Sequence, residues 1–236
     1  MSFFIIILLS GCALLGGFAV FFIKNNNHKN IKLLLSFSGA YLFAITILHL
    51  LPEVYAGDST HLVGLFILGG FILQILLEQF SQGIEHGHIH LHSHQQSFPY
   101  GIMFSLCLHA FLEGMPLTAI NNQELVYGIA IHHIPAAFAL ASVLAGNHLK
   151  KQNIGLLIVL FAAMSPLGYV FSYTISNGQI SSLNNFYPYI MGIVIGIFLH
   201  ISTTILFEAS VDHKFTIYKT VAVLLGMSIA LLSFFI

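Results

Sequence analysis

Arginine and tryptophan are absent from this chain of 236 residues, and charge of either sign is scarce: seven lysines and eight acidic residues, 6% of all positions. A water-soluble domain carries roughly a quarter charged residues, so this chain could not cover a surface that faces water. A nucleic-acid partner is not expected either, since phosphate recognition draws on clustered positive charge and the net charge here is −1. Cysteine is almost as rare. Cys12 and Cys107 both lie inside apolar runs, where a lone cysteine packs as a small apolar residue more often than it forms a bridge.

What is present is hydrocarbon: 57% of the residues are hydrophobic. A membrane span needs about 20 apolar residues, and eight such runs occur, at roughly 3–23, 31–53, 62–80, 99–119, 124–146, 153–176, 187–208 and 216–236. Clusters of Asn, Gln, Ser, His and Lys separate them, as loops require. The sequence therefore predicts an all-α integral membrane protein with eight transmembrane helices, forming one transmembrane transport domain over 1–236. Leu9-Ser10-Gly11-Cys12 looks like a lipoprotein cleavage box, but no basic residue precedes it and the apolar run continues to Ile23, so the segment reads as span 1.

The lysines orient the bundle. Lys24, Lys29, Lys32, Lys150, Lys151, Lys214 and Lys219 all fall after spans 1, 5 and 7, on one side if there are eight spans. Cytoplasmic loops are enriched in Lys, which puts both termini outside. The loop between spans 3 and 4, at about 81–98, is then cytoplasmic. It reads EHGHIHLHSH, so His86, His88, His90, His92 and His94 form a tract that binds transition metals by composition. Span 2 contains GAYLFAIT and span 7 GIFLHIST, at Gly39 and Gly196, a weak echo between segments of opposite direction that suggests an inverted repeat.

Ionisable groups inside a bilayer are costly and usually functional. His109 and Glu113 of span 4 are four residues apart, hence on one helical face. Span 5 carries His132 and His133 just before Pro135. If spans 4 and 5 fold as a hairpin about residues 121–123, these histidines fall at levels between His109 and Glu113, near mid-membrane. Imidazoles with a carboxylate suit a borderline divalent cation, Zn²⁺ first. Each histidine alone could equally be bonded across a helix interface; the set is harder to explain that way. Pro135 deprives the Ile131 carbonyl of its helical partner. Other intramembrane candidates are an entrance pair, His49 and Glu53, and relay or exit groups His200, Glu78 and Glu208, each of which reads equally as an interfacial or backbone-bonded residue.

Together these residues resemble the ZIP family of divalent metal transporters. Span 4 gives His109-Ala110-Phe111-Leu112-Glu113-Gly114 against a family pattern H-N-x-x-[DE]-G, and span 5 gives His132-His133-Ile134-Pro135-Ala136-Ala137 against H-E-x-P-H-E. LHLLPE in span 2 and SPLG, Ser165 to Gly168, in span 6 are also similar. The resemblance implies spans 1–3 and 6–8 as inverted repeats around spans 4 and 5, inward metal movement by alternating access, and a main site of His109, Glu113 and His132, with His133 as a further candidate. It also implies Zn²⁺ as substrate, with Fe²⁺, Mn²⁺ or Cd²⁺ as alternatives, no organic cofactor, the cell (inner) membrane as location, and a homodimer as an open expectation. Ala110, Ala136, Ala137 and Ser165 depart from the family's ligands, which points to one central metal instead of two. Two rival readings stay open: an intramembrane zinc-dependent hydrolase, against which no HExxH occurs, and a non-transporting metal-binding or sensing member.

The lysine asymmetry is directly testable. In a chain with Cys12 and Cys107 replaced by serine, a cysteine at Lys151 should react with a membrane-impermeant maleimide only after the membrane is opened. One at Asn122 should react in intact cells; labelling of both from outside would overturn the orientation.

Overall fold

The computed structural model describes residues 2–23, 28–56, 60–84, 99–118, 123–147, 149–176, 186–208 and 216–234. Among these every regular element is helical: α1 Ser2–Ala19, α2 His28–Ile45, α3 Leu51–Tyr55, α4 Thr60–Ser81, α5 Tyr100–Gly114, α6 Gln123–Gly146, α7 Lys151–Ser176, α8 Tyr187–Glu208 and α9 Ile217–Phe234. Six stretches are long and apolar enough to cross a membrane: Asn30–Tyr55, His61–Ser81, Tyr100–Thr118, Gln123–Gly146, Lys151–Ile175 and Tyr187–Phe207. Two shorter apolar helices, Phe3–Ala19 and Ile217–Leu232, flank them. The chain is thus a multi-pass membrane protein, and each of its eight apolar runs contains a helix. The histidine tract His86–His94 lies outside the described residues.

The second run is not one continuous α-helix. Between α2 and α3, Thr46–Leu50 forms a π turn, closed by the Leu51 N–H on the Thr46 carbonyl. Pro52 comes next and has no N–H to offer the Leu48 carbonyl, so a widened turn here is a local adjustment to a missing donor. One extra residue in the turn rotates α3 relative to α2. His49 stays half-buried while Glu53 is exposed. A second short deviation ends α5, where Met115–Thr118, containing Pro116, tightens to a 3₁₀ turn.

The helices associate as two groups. α1, α5, α6 and α7 pack together, with α1 against α6 and α7 and with α5 against α7. α2, α4, α8 and α9 form the other group, with α4 against α8 and with α2 against α9 and α8. Contacts of α2 with α6 and of α4 with α5 join the groups. α6 is the innermost helix, 83% of its most apolar window buried, whereas α4 at 22% faces outward. Small residues allow this closeness. A Cβ on Gly16 would run into the Ile134 carbonyl, one on Gly168 into that of Phe111, and one on Gly114 into that of Ser165. In the other group, Gly70 meets the Ile193 carbonyl, Gly196 that of Ile67, and Gly226 that of Phe37.

Polar groups stitch the helix ends. Tyr41 Oη donates to the Glu124 carbonyl at 3.0 Å, tying α2 to the start of α6. Ser105 Oγ donates to the Leu77 carbonyl at 2.7 Å, tying α5 to α4. Lys219 is buried and its Nζ donates to the Leu206 carbonyl at 2.8 Å, in the last turn of α8, where a cation complements the helix dipole. Lys32 and Lys219 thus sit near the N-terminal ends of α2 and α9.

Neighbouring glycines give a clean comparison. Gly69 has open space where its Cβ would be, while Gly70 faces backbone. Gly70→Val should destabilise the folded protein by about 1–3 kcal/mol through overpacking, read as a lowered melting temperature in detergent. Gly69→Ala should leave it unchanged or slightly raised.

Candidate metal centre

Four intramembrane side chains meet where α5 and α6 pass one another. His109 and Glu113 project from one face of α5, and Glu113 is completely buried. His132 and His133 sit midway along α6 and are equally enclosed. The two helices hardly touch backbone to backbone. α5 leans on α7 through Gly114 and Gly168, and α6 leans on α1 through Gly16. The space left between α5 and α6 is spanned by the four polar side chains. The hairpin register read from the sequence does not give this separation.

Glu113 is the centre of the arrangement. Its Oε1 lies 3.2 Å from His109 Nε2, and its Oε2 lies 3.0 Å from His133 Nε2. The His109 and His132 rings face edge to face-on, 6.3 Å between centroids and 78° between planes. One ligand atom each from His109, Glu113 and His132 lies within 4.8 Å of the other two. A tetrahedral Zn²⁺ with bonds of about 2.0–2.1 Å holds its ligand atoms roughly 3.3 Å apart, so modest side-chain rotations would draw this trio around an ion.

His133 does something different from its neighbour. An ionised carboxylate only accepts hydrogen bonds, so beside ionised Glu113 the His133 Nε2 carries its proton toward Oε2. That nitrogen is then occupied in holding the carboxylate. The His133 ring also stands edge-on to Phe161 of α7, at 5.9 Å, which fixes its plane. The 100° separation of adjacent helix residues thus distributes the pair, His132 toward His109 and His133 toward the far oxygen of Glu113.

The departures from the family pattern have a packing outcome. Ala110, Ala136 and Ala137 are buried in one apolar cluster with Leu106, Leu140 and Phe161. Ser165 is buried with its backbone against Gly114, and its hydroxyl has no hydrogen-bond partner among the described residues. Pro135 lies within α6, which continues through it, and lines a cavity of about 290 Å³ with Gly16, Ile31 and Phe138.

Among the described side chains, His49, Glu53, Glu78 and His200 are not part of this trio. His200 Nε2 on α8 lies 3.4 Å from Glu78 Oε2 on α4, with the imidazole edge-on to Phe71 at 4.9 Å; the sequence offered no reason to pair them. His49 is half-buried in the π turn after α2, and Glu53 is exposed beyond it. The side chain of Glu208 lies outside the described residues. One contact was missed altogether from sequence. Ser38 Oγ on α2 lies 3.4 Å from His132 Nδ1, and nothing in the string SFSGA distinguishes Ser38 from Ser36.

Residues 86–233 match the family model described as ZIP Zinc transporter. The chain is 25% identical over 121 residues to Zinc transporter ZIP1 of Danio rerio, covering 50% of this chain and 40% of that protein. It is 26% identical over 159 residues to Zinc transporter ZIP1 of Takifugu rubripes, covering 63% and 51% respectively. The chain thus spans about half the length of the curated relatives it matches.

The coupling of Glu113 to His133 can be measured without any metal. His133→Leu should destabilise the protein by about 1.5–3 kcal/mol, the range for a hydrogen bond to a charged group. The double variant with Glu113→Leu should lose clearly less than the sum of the single losses. Additive losses in detergent unfolding would show that the two side chains do not interact.

Proposed function

The chain belongs to the ZIP zinc transporter family, and on that premise we propose that it carries a divalent transition-metal ion through the membrane into the cytoplasm. Zn²⁺ is the first expectation as substrate, with Fe²⁺, Mn²⁺ or Cd²⁺ as alternatives. The observation that carries the proposal is the buried trio His109, Glu113 and His132, with ligand atoms within 4.8 Å of one another inside predominantly apolar helices. Two neutral imidazoles and one carboxylate leave a bound divalent cation with one net positive charge, so the ion is held without being neutralised. A carrier needs that balance, because binding must be reversible. The buried alanines at 110, 136 and 137 favour one ion at this centre over two.

The full topology belongs to the same proposal: eight spans with both termini outside, in which α1 and α9 have 18 residues each, about 27 Å of helix at 1.5 Å per residue. The inverted repeat is supported by the close approaches. Exchanging α1 with α7, α2 with α8, α4 with α9 and α5 with α6 turns the Gly16–Ile134 contact into Gly168–Phe111, and Gly70–Ile193 into Gly226–Phe37. All metal-centre residues sit on α5 and α6, hence in one of the two helix groups. Movement of that group past the other would expose the same ligands first outside and then inside, which is alternating access. His49 and Glu53 would lie on the outer approach, with Glu78, His200 and Glu208 toward the inner side. The histidine tract His86–His94 would receive the ion in the cytoplasm.

In sealed vesicles of purified protein, wild type should show saturable zinc uptake. His109→Ala or Glu113→Ala should reduce it to the level of protein-free vesicles, at unchanged protein insertion. Zinc binding without flux in wild type would instead identify a metal-binding or sensing member, and unchanged flux in both variants would exclude this site.

A further inference from the structure

Ser38 stands on α2, in the helix group that does not contain the metal centre, yet it reaches into that centre. It is 1% exposed. Its Oγ lies 3.1 Å from the carbonyl of Leu35 one turn earlier and 3.4 Å from His132 Nδ1. A hydroxyl has one proton and two lone pairs. The carbonyl can only accept, so the Ser38 proton goes to Leu35. What Ser38 then offers His132 is a lone pair, and an imidazole nitrogen facing a lone pair at this distance carries the hydrogen.

We infer that Ser38 is a positioning residue for the metal centre: by accepting from His132 Nδ1–H it fixes the tautomer whose Nε2 lone pair is available to a divalent cation. The inference rests on the reading of His109, Glu113 and His132 as ligands. The alternative tautomer, with the proton on Nε2, would present a positive edge to an arriving cation and would have to be reversed before binding. A partner on the non-ligating nitrogen also fixes ring orientation and raises ligand basicity. Since Ser38 and His132 belong to different helix groups, this support exists in the relative position seen here and is given up when the groups slide apart. The Ser38 contact therefore makes ion affinity depend on conformation at one named atom pair.

Ser36 supplies an internal control. It is as buried as Ser38 and makes the same kind of local bond, Oγ to the Lys32 carbonyl at 2.8 Å. The test is equilibrium Zn²⁺ binding to the purified full-length protein in detergent, against a competing chelator. The central-site component is the part that Glu113→Ala removes, which separates it from binding by the histidine tract. Ser38→Ala should weaken that component roughly 10- to 100-fold, the usual cost of losing such a supporting partner. Ser36→Ala should stay within about threefold of wild type, and Ser38→Thr, which keeps the hydroxyl, should recover most of the loss. In metal-free protein labelled with ¹⁵N-histidine, the resonances lost in His132→Asn should report an Nδ1–H tautomer, and they should change in Ser38→Ala.

If Ser38→Ala binds within about threefold of wild type while Glu113→Ala removes a component, the role of Ser38 is overturned and the site stands. If Glu113→Ala removes nothing, the site itself falls. Should Ser38→Ala fail to remain monodisperse, Ser38→Cys, which keeps the volume but accepts weakly, reads the same affinity. An Nε2–H tautomer of His132 in the wild type would also overturn the inference.

Discussion

A carboxylate with no exposure to solvent, in a helix surrounded by hydrocarbon, is the condition to which the centre of this protein is fitted. An ionised acid near the middle of a bilayer costs about 2.5–3.5 kcal/mol even on lenient scales, and Glu113 is fully buried from bulk solvent. Each of its oxygens therefore has its own imidazole, His109 on one and His133 on the other. The imidazoles need their places too. Phe161 sets the plane of His133, and Ser38 meets the far nitrogen of His132. The helices that bring these groups together are held by glycine-to-carbonyl contacts at Gly114, Gly168 and Gly16. A divalent cation among them would offset the same carboxylate charge, so the features that make Glu113 tolerable also make the place receptive to an ion.

Much of this was legible in the sequence because membranes impose simple rules. Apolar runs of about 20 residues become helices, since no other open structure satisfies its backbone in lipid. The His109–Glu113 spacing is one helical turn, and a short connection between the fourth and fifth runs sets the level of His132. What escaped was tertiary. The separation of α5 from α6 depends on which helix each prefers as neighbour, and that is written in glycines whose importance appears only when the opposing carbonyl is known. The π turn at Thr46–Leu50, just before Pro52, was not foreseen from an apolar run that reads as one continuous helix. His200 and Glu78 were read as separate candidates because α4 and α8 are far apart in the chain. Ser38 was invisible because a buried serine satisfying its own helix looks the same whether or not an imidazole lies beyond it.

The two helix groups divide the labour of the fold. α6, the most enclosed element, carries two of the four polar residues and is shielded by α1, α2 and α7. α4 exposes most of its apolar surface and binds the rest of the molecule chiefly through α8, with α5 as a second neighbour. Small buried residues at 110, 136 and 137 keep the surroundings of the centre compact and apolar, which strengthens each electrostatic contact inside it.

The glycine-to-carbonyl seams have a mechanical consequence. Where bare backbone meets bare backbone, no rotamer can adjust to a small displacement; such a joint stays shut or parts completely. Gly70 and Gly196 therefore fasten α4 to α8, Gly226 fastens α9 to α2, Gly16 fastens α1 to α6, and Gly114 and Gly168 fasten α5 to α7. Where α2 runs along α6, by contrast, Gly128 faces the ring of Tyr41 and the side chain of Leu42, which can turn aside. Backbone joints thus hold the helices in pairs, and the side-chain joints between pairs, Gly17 on Ile158, Gly39 on Ile205 and Gly128 on Tyr41, are where the fold can yield.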